Sequence, residues 1–350
     1  MPRGGRRSHF SKGNYMKRSI FACLFVLACA IVSRAAVLGI EDARVIVPHW
    51  TYGSNVAPMT EATAAQQWEF VHELFYRTSY HQFDHSTTVY PAFAVDPPLK
   101  TDKFGVTSPT CIGYDQKAIA TAVSLGFDIP PGAKIIIVQN ECGHQGNTGV
   151  YRRPDGGTNY FVYGQKGNEI AFYYQAQHGI TGGFAWVCSE SGCVSTWRRD
   201  PYDNAANGDH HSYNAAHRLQ MGWISAAAGD MQSVQAVISQ YTIRSLDADR
   251  DGQLKYLRIV SPAGTFTVEV RTDPVVTSVP RVVISRLGQP IDTSSASTCM
   301  QFYLPLGATW KPLNATFGIR LDALVNGTAT VSVVENATNN VPSQCSTGSK

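Results

Sequence analysis

Imidazoles and carboxylates set close together are the first places to look for chemistry in this 350-residue chain. His72-Glu73 opens a pattern used in zinc hydrolases. There, two His four residues apart share one helix face and bind the metal, and the Glu after the first is the general base for the metal-bound water. Four residues after His72 stands Tyr76, and His81 falls nine residues on rather than ten, so the spacing fails. A core helix with a surface His-Glu pair is expected here. Asn140-Glu141-Cys142-Gly143-His144 keeps a Glu and a His, but it leaves a β-branched run, Lys134 to Val138, for a Gly-rich loop. A zinc helix needs more than one turn before its Glu, so a loop is expected, with a plausible disulfide at Cys142.

Asp247-Ala248-Asp249-Arg250-Asp251-Gly252 matches the first half of a calcium loop, with Asp247, Asp249 and Asp251 as candidate ligands. Lys255 at the ninth position and Arg258 at the twelfth break the second half, and Asp251-Gly252 reads equally as a hairpin turn. Serine and cysteine nucleophile motifs, phosphate loops and dinucleotide fingerprints are absent.

The densest signal runs from Asn168 to Trp223. Asn168 caps a short apolar helix that passes His178 and ends at Gly182-Gly183. A small loop between Cys188 and Cys193 follows, then the turn Asp200-Pro201-Tyr202-Asp203, then a second helix closing on Met221-Gly222-Trp223. That turn is similar to an Asp-Pro-x-Asp-x-Met-Gly turn, with Ala205 in place of Met. Tyr213 to Trp223 is similar to an Asn-Ala-x-x-Arg-Leu-x-x-Gly-Trp helix, and Tyr76 to Tyr80 to a segment ending in Ser-Tyr-Gly. On these residues the chain resembles the gametolysin family of secreted metzincin-type zinc metallopeptidases, which loosen algal cell walls and extracellular matrix. The likeness spans about residues 40–335.

The resemblance implies a metzincin-like peptidase domain, in which Tyr174-Gln175-Ala176-Gln177-His178 stands where His-Glu-x-x-His would and Phe184 where the third His would. Of three metal ligands only His178 remains, with Tyr174 and Phe184 at the other two places. Gln175 holds the general-base position, and an amide cannot take a proton from metal-bound water. A rearranged zinc site would have to draw on His210, His211 or His217. Asp200 and Asp203 are expected to cap their turn beside the cleft rather than act as a catalytic pair. The expected function is a catalytically inactive homologue, without a cofactor, that binds extracellular-matrix or cell-wall protein or glycoprotein. The alternative is an active zinc endopeptidase acting on the same class of polymer.

Composition supports the same address. Residues 1–35 carry seven Lys/Arg and no acid, leaving 22 basic against 26 acidic residues beyond them. Nucleic acid is therefore not an expected partner, because phosphate binding wants a basic patch. Lys17-Arg18, the apolar run Ile20 to Val32 and Ser33-Arg34-Ala35 read as a signal peptide over 1–35, and the core is too short to span a membrane. The protein is thus expected to be secreted, with no membrane span after cleavage. Six cysteines lie beyond the signal, and Cys188–Cys193 is the expected disulfide. Sequons at Asn314, Asn326 and Asn336 fit an extracellular glycoprotein.

Periodicity places the remaining elements. Arg44 to Val47 reads as a buried strand, and Thr60 caps a helix whose inner face is Trp68, Val71, Leu74 and Phe75. Ser86 to Val95 reads as an edge strand, and Asp115 to Leu125 as a helix with Ile119, Ala122 and Val123 inward. From about Asp230 short alternating strands take over. The expected fold class is α+β: a metzincin-like domain over 37–228, an all-β sandwich over 229–338 and a polar tail over 339–350.

Overall fold

The computed structural model describes residues 36–131, 133–142, 150–152, 158–163, 174, 185–187, 203, 212–272, 279–287 and 298–338. Its first half is built on a mostly parallel sheet. In chain order the elements are Gly39–Ile46 (β1), Pro48–Trp50 (β2), Glu61–Thr78 (α1), Phe83–Val89 (β3), Phe93–Val95 (β4), Leu99–Thr101 (β5) and Thr107–Pro109 (β6). Tyr114–Ser124 (α2), Lys134–Gln139 (β7), Val150–Arg152 (β8) and Thr158–Tyr163 (β9) follow. The main sheet has the order β3-β1-β7-β9-β8, with β8 alone antiparallel to its neighbour. Two ribbons, β2 with β4 and β5 with β6, stand apart from it.

Alternation along the central strands sends side chains to two cores, as the two-residue period of a strand requires. Val45 on β1 and Ile136 and Val138 on β7 meet Trp68, Val71, Leu74 and Phe75 of α1. Ile46, Ile135 and Ile137 point the other way, against Tyr114, Ala118 and Ala122 of α2. Thr60 caps α1 as its sequence suggests, its hydroxyl accepting from the Thr63 amide at 3.1 Å. The face expected for α2 is rotated. Ala118 and Ala122 are buried and Ile119 is half-buried, but Val123 is 55 % exposed. Two alanines one turn apart let the helix backbone lie close to the sheet, and Tyr114 fills the space beside them.

The second half begins with Ala185–Val187 (β10) and Ala215–Gln220 (α3) and continues with Met231–Gln235 (β11), Ser239–Arg244 (β12), Tyr256–Ser261 (β13) and Gly264–Arg271 (β14). Arg281–Leu287 (β15), Thr298–Leu304 (β16), Thr309–Trp310 (β17), Phe317–Val325 (β18) and Thr328–Glu335 (β19) complete it. One sheet has the order β10-β16-β15-β14-β13-β11, the other β12-β19-β18-β17. They share one core, in which Leu257, Phe266, Val268 and Ile284 of the first meet Ile243, Trp310, Ile319, Leu321 and Val331 of the second. β10 pairs in parallel with β16, so residues well before 229 supply an edge strand of the later sheet.

The fold is thus a mixed α+β architecture with several sheets in which strands outweigh helices. The reading of Asp251-Gly252 as a hairpin turn does not hold. β12 and β13 on either side of it belong to different sheets, so the turn carries the chain from one sheet to the other.

Candidate functional site

Tyr174, at the first ligand position of the expected zinc motif, lies in the core between α1 and the main sheet. It is 1 % exposed. Its ring stands edge-on to Phe75 at 5.1 Å and to Trp68 at 5.4 Å. Its hydroxyl donates to Glu41 Oε2 and meets His85 Nε2 at 2.9 Å. A phenol has one proton, so with that proton on the carboxylate side the imidazole nitrogen is the donor to the phenol oxygen. Glu41 and His85 face each other in the register of β1 and β3, and the Glu41 carboxylate also pairs with Lys134 Nζ on β7 at 3.2 Å. Two adjacent strands therefore supply partners to one buried hydroxyl and a third strand pairs with one of those partners, which is how a buried Tyr is normally accommodated.

These residues do not fit a zinc site. A ligand at position 174 must present its donor to a metal that keeps an open, wet coordination position. The donor here is spent inside an aromatic cage. Gln175, His178, Phe184, Asp200, Ala205, His210, His211 and the expected pair Cys188–Cys193 lie outside the described residues, as do the signal segment 1–35 and the tail 339–350.

Asp203 and His217 form the second constellation. Both side chains are fully buried, and Asp203 Oδ2 meets His217 Nδ1 at 2.6 Å. The same oxygen accepts the Asn214 amide at 2.7 Å, while Asn214 Oδ1 caps α3 by accepting from the His217 amide at 3.0 Å. Asp203 is therefore tied to the start of α3. Burial, reinforced by the Asp203 carboxylate, pushes the Tyr213 phenol well above its usual range. Nδ1 of His217 is turned to that carboxylate, which removes it from a rearranged metal site through this nitrogen.

Past α3, Gly222 takes φ of 78°, and the Trp223 amide returns to the Arg218 carbonyl at 2.9 Å. A left-handed residue at this helix end suits glycine, which has no Cβ to strain the conformation. Trp223 is fully buried, with its indole N–H on the Val37 carbonyl at 2.8 Å. The Gly-Trp ending is thus a helix stop and a core anchor.

Arg218 is the surprise of the same helix. It is 2 % exposed and reaches Asp247 at 3.0 Å, the Leu246 carbonyl at 2.8 Å and Ser212 Oγ at 3.0 Å. Asp247 also meets Arg271 Nε at 3.2 Å, and Arg271 holds Glu269 at 3.1 Å, whose other oxygen accepts the Ala215 amide at 2.8 Å. This closed ring of two guanidiniums and two carboxylates joins α3 to β14. Burial alone would raise the Asp247 carboxyl, but Arg271 and Arg218 beside it hold it far below the usual carboxylate range. Burial dominates at Glu269 and pushes its carboxyl up despite Arg271. The calcium reading of the loop fails for the same reason. Asp247 faces two guanidiniums, and Asp251 faces Arg244 and, at 3.7 Å, Lys255, so cationic side chains occupy the space a cation would need.

Tyr80 and His81 follow α1 at φ of 57° and 61°, two successive non-glycine residues in the left-handed region. Each costs about 1–2 kcal/mol. The conformation drives the Tyr80 hydroxyl to the Leu246 carbonyl at 2.7 Å and its ring under the Arg218 guanidinium at 5.3 Å. The His81 ring stacks on Tyr76 at 4.3 Å, at the place where the resembled segment carries Gly. The sequons sit in comparable turns: Asn314, Asn326 and Asn336 are all exposed at φ of 61°, 48° and 49°. Asn tolerates this conformation, so each asparagine has a backbone reason to be there as well as an accessible amide.

The one disulfide among the described residues joins Cys111 to Cys142, with Cα atoms 5.6 Å apart. It pins the loop after β7, where Glu141 also accepts the Trp50 amide at 3.1 Å. An open cleft of about 400 Å³ lies between Arg281, Tyr303, Pro305, Leu306 and Leu324, with the Arg281 guanidinium over the Tyr303 ring at 4.4 Å. No helix of the described residues is long and apolar enough to cross a membrane. Neither the protein-family models nor the curated proteins contain a match to this sequence. Glu41, His85, Glu69 and Asp84 escaped sequence reasoning. Their partners lie on neighbouring elements, and the one available signal was the shared polarity of facing positions on β1 and β3.

Proposed function

We propose that this protein is a secreted, catalytically silent relative of the gametolysin-type peptidases that binds extracellular-matrix or cell-wall polypeptide. The observation that carries the reading is the burial of Tyr174, whose hydroxyl is held by Glu41 and His85 where an active enzyme would offer a metal ligand. Gln175 at the base position adds an independent loss, since an amide has no basicity to activate water. At this position the chain's own residues hold a hydroxyl and a salt bridge in place.

Binding without cleavage needs surface rather than chemistry. The cleft beside Arg281 and Tyr303 presents a guanidinium, an aromatic face and prolines, the residue types that receive an extended chain. Passage of the purified protein over immobilised gelatin tests the reading. Retention is expected, with the gelatin recovered at its original size. Flow-through of the protein would reject the binding half of the proposal, and shortened gelatin the silent half.

A further inference from the structure

We propose that Glu69, His72 and Glu73 form a binding site for a divalent transition-metal ion on the outer side of α1, with Asp84 positioning the His72 ring. Residues at i, i+3 and i+4 share one helix face, and their ligand atoms all lie within 4.8 Å of one another. His72 Nδ1 stands 3.6 Å from Glu69 Oε1. That is too long for a hydrogen bond. It is close to the edge of about 3.3 Å that separates two ligands of a tetrahedral ion with bonds of about 2.0–2.1 Å.

A second observation comes from a different element. Asp84, on β3, meets His72 Nε2 at 2.7 Å with an oxygen that also takes the His85 amide at 2.7 Å. The carboxylate accepts, so Nε2 carries the proton. The other ring nitrogen, Nδ1, lies on the side of Glu69, 3.6 Å from its Oε1. An imidazole and two carboxylates this close together form a donor set that a divalent cation can bridge. Metal-bound histidines are held in this way, by a carboxylate on the far ring nitrogen.

The donor set names the cation. One imidazole and two carboxylates suit zinc and its first-row neighbours, whereas magnesium and calcium prefer oxygen alone. Half-buried His72, at 25 % exposure, forms the floor, and the exposed glutamates form an open rim that leaves positions for water. This site is independent of the expected peptidase motif. It uses none of Tyr174, Gln175, His178 and Phe184, and a metal bound by three side chains of one exposed helix leaves on dialysis against chelator.

Calorimetric titration of the chelator-stripped full chain with zinc chloride near neutral pH tests the proposal. One binding event is expected in the parent, absent from His72→Ala and weakened about 10–100-fold in Asp84→Asn. Magnesium chloride should give no event, and His178→Ala should titrate like the parent. Should His72→Ala fold poorly, the paired change Glu69→Gln with Glu73→Gln carries the same test, because both side chains lie at the surface. No zinc event in the parent, or superimposable titrations for the parent and the variants at 69, 72 and 73, overturns the site and leaves a protonated imidazole among carboxylates.

Discussion

Two of the polar clusters among the described residues solve the same problem in opposite ways. Around Tyr174 a single neutral hydroxyl is wrapped in aromatic rings, and the ion pair beside it, Glu41 with Lys134, keeps 17 % and 22 % of its side chains exposed. Around Arg218 four full charges are taken out of water together, with side-chain exposures of 0–6 %. The resemblance implies a vacated ligand position at the first and assigns no role to the second. Position 174 is packed into the core, while the helix that carries Arg218 takes part in a fully buried ion network. An ion ring of this kind fixes geometry more than it adds stability, because desolvation offsets most of the attraction.

Breaking the ring should have the largest effect. Asp247→Asn leaves Arg218 and Arg271 without their shared anion and is expected to cost about 3–5 kcal/mol in chemical denaturation. Glu269→Gln should cost less, because burial already penalises that carboxylate. The two differ in the sign of their pH dependence. The Asp247 carboxyl is lowered by folding, so its contribution is present above its ordinary value of 3.8 and disappears as pH falls through the folded value. The Glu269 carboxyl is raised, so its contribution is complete below its ordinary value of 4.5 and disappears as pH rises through the folded value. Unfolding curves from pH 7 down to about 3 should therefore show the cost of Asp247→Asn shrinking at the acid end and that of Glu269→Gln growing. Parallel curves for the two variants would contradict this assignment.

Tyr174→Phe probes the other cluster. It keeps the aromatic packing and strands the buried side of Glu41 and His85, so a loss of about 1–3 kcal/mol is expected in the same measurement. No loss would mean that the hydroxyl network is incidental and that packing alone holds position 174. The smallest effect is expected at the hinge between the two clusters. His81→Gly relieves the left-handed strain but gives up the stacking on Tyr76, so its stability should stay within about 1 kcal/mol of the parent. His81→Ala keeps the strain and loses the ring, so it should be the less stable of the two. The opposite order would show that the left-handed backbone at position 81 carries no strain for a side chain to relieve.

Much of the scaffold could be read from residue pattern alone. The cap at Thr60, the buried face of α1, the strand at Lys134 and most strands after 255 follow from period and turn chemistry, which are local properties. The second sheet was only half visible. β18 breaks its alternation at a register shift between Leu321 and Ala323, and β12 exposes polar residues beside its single fully buried Ile243. The polar clusters were hidden for a different reason. Glu41 meets Tyr174 across 133 residues, and Arg271 meets Ser212 across 59, and neither pair has a spacing to find. His72 was seen and set aside because its partners were sought at the spacing of one motif, whereas they stand one turn earlier on the same helix and on the next strand.

The account turns on whether position 174 is packing or a failed view of a working site. Incubation of the full chain with gelatin in zinc-supplemented buffer, with and without chelator, measures this directly. The burial of Tyr174 and the amide at Gln175 lead to no cleavage in either condition. Gelatin digestion that appears with zinc and vanishes with chelator, and that is lost in His178→Ala but not in His72→Ala, would contradict the account and restore an active peptidase.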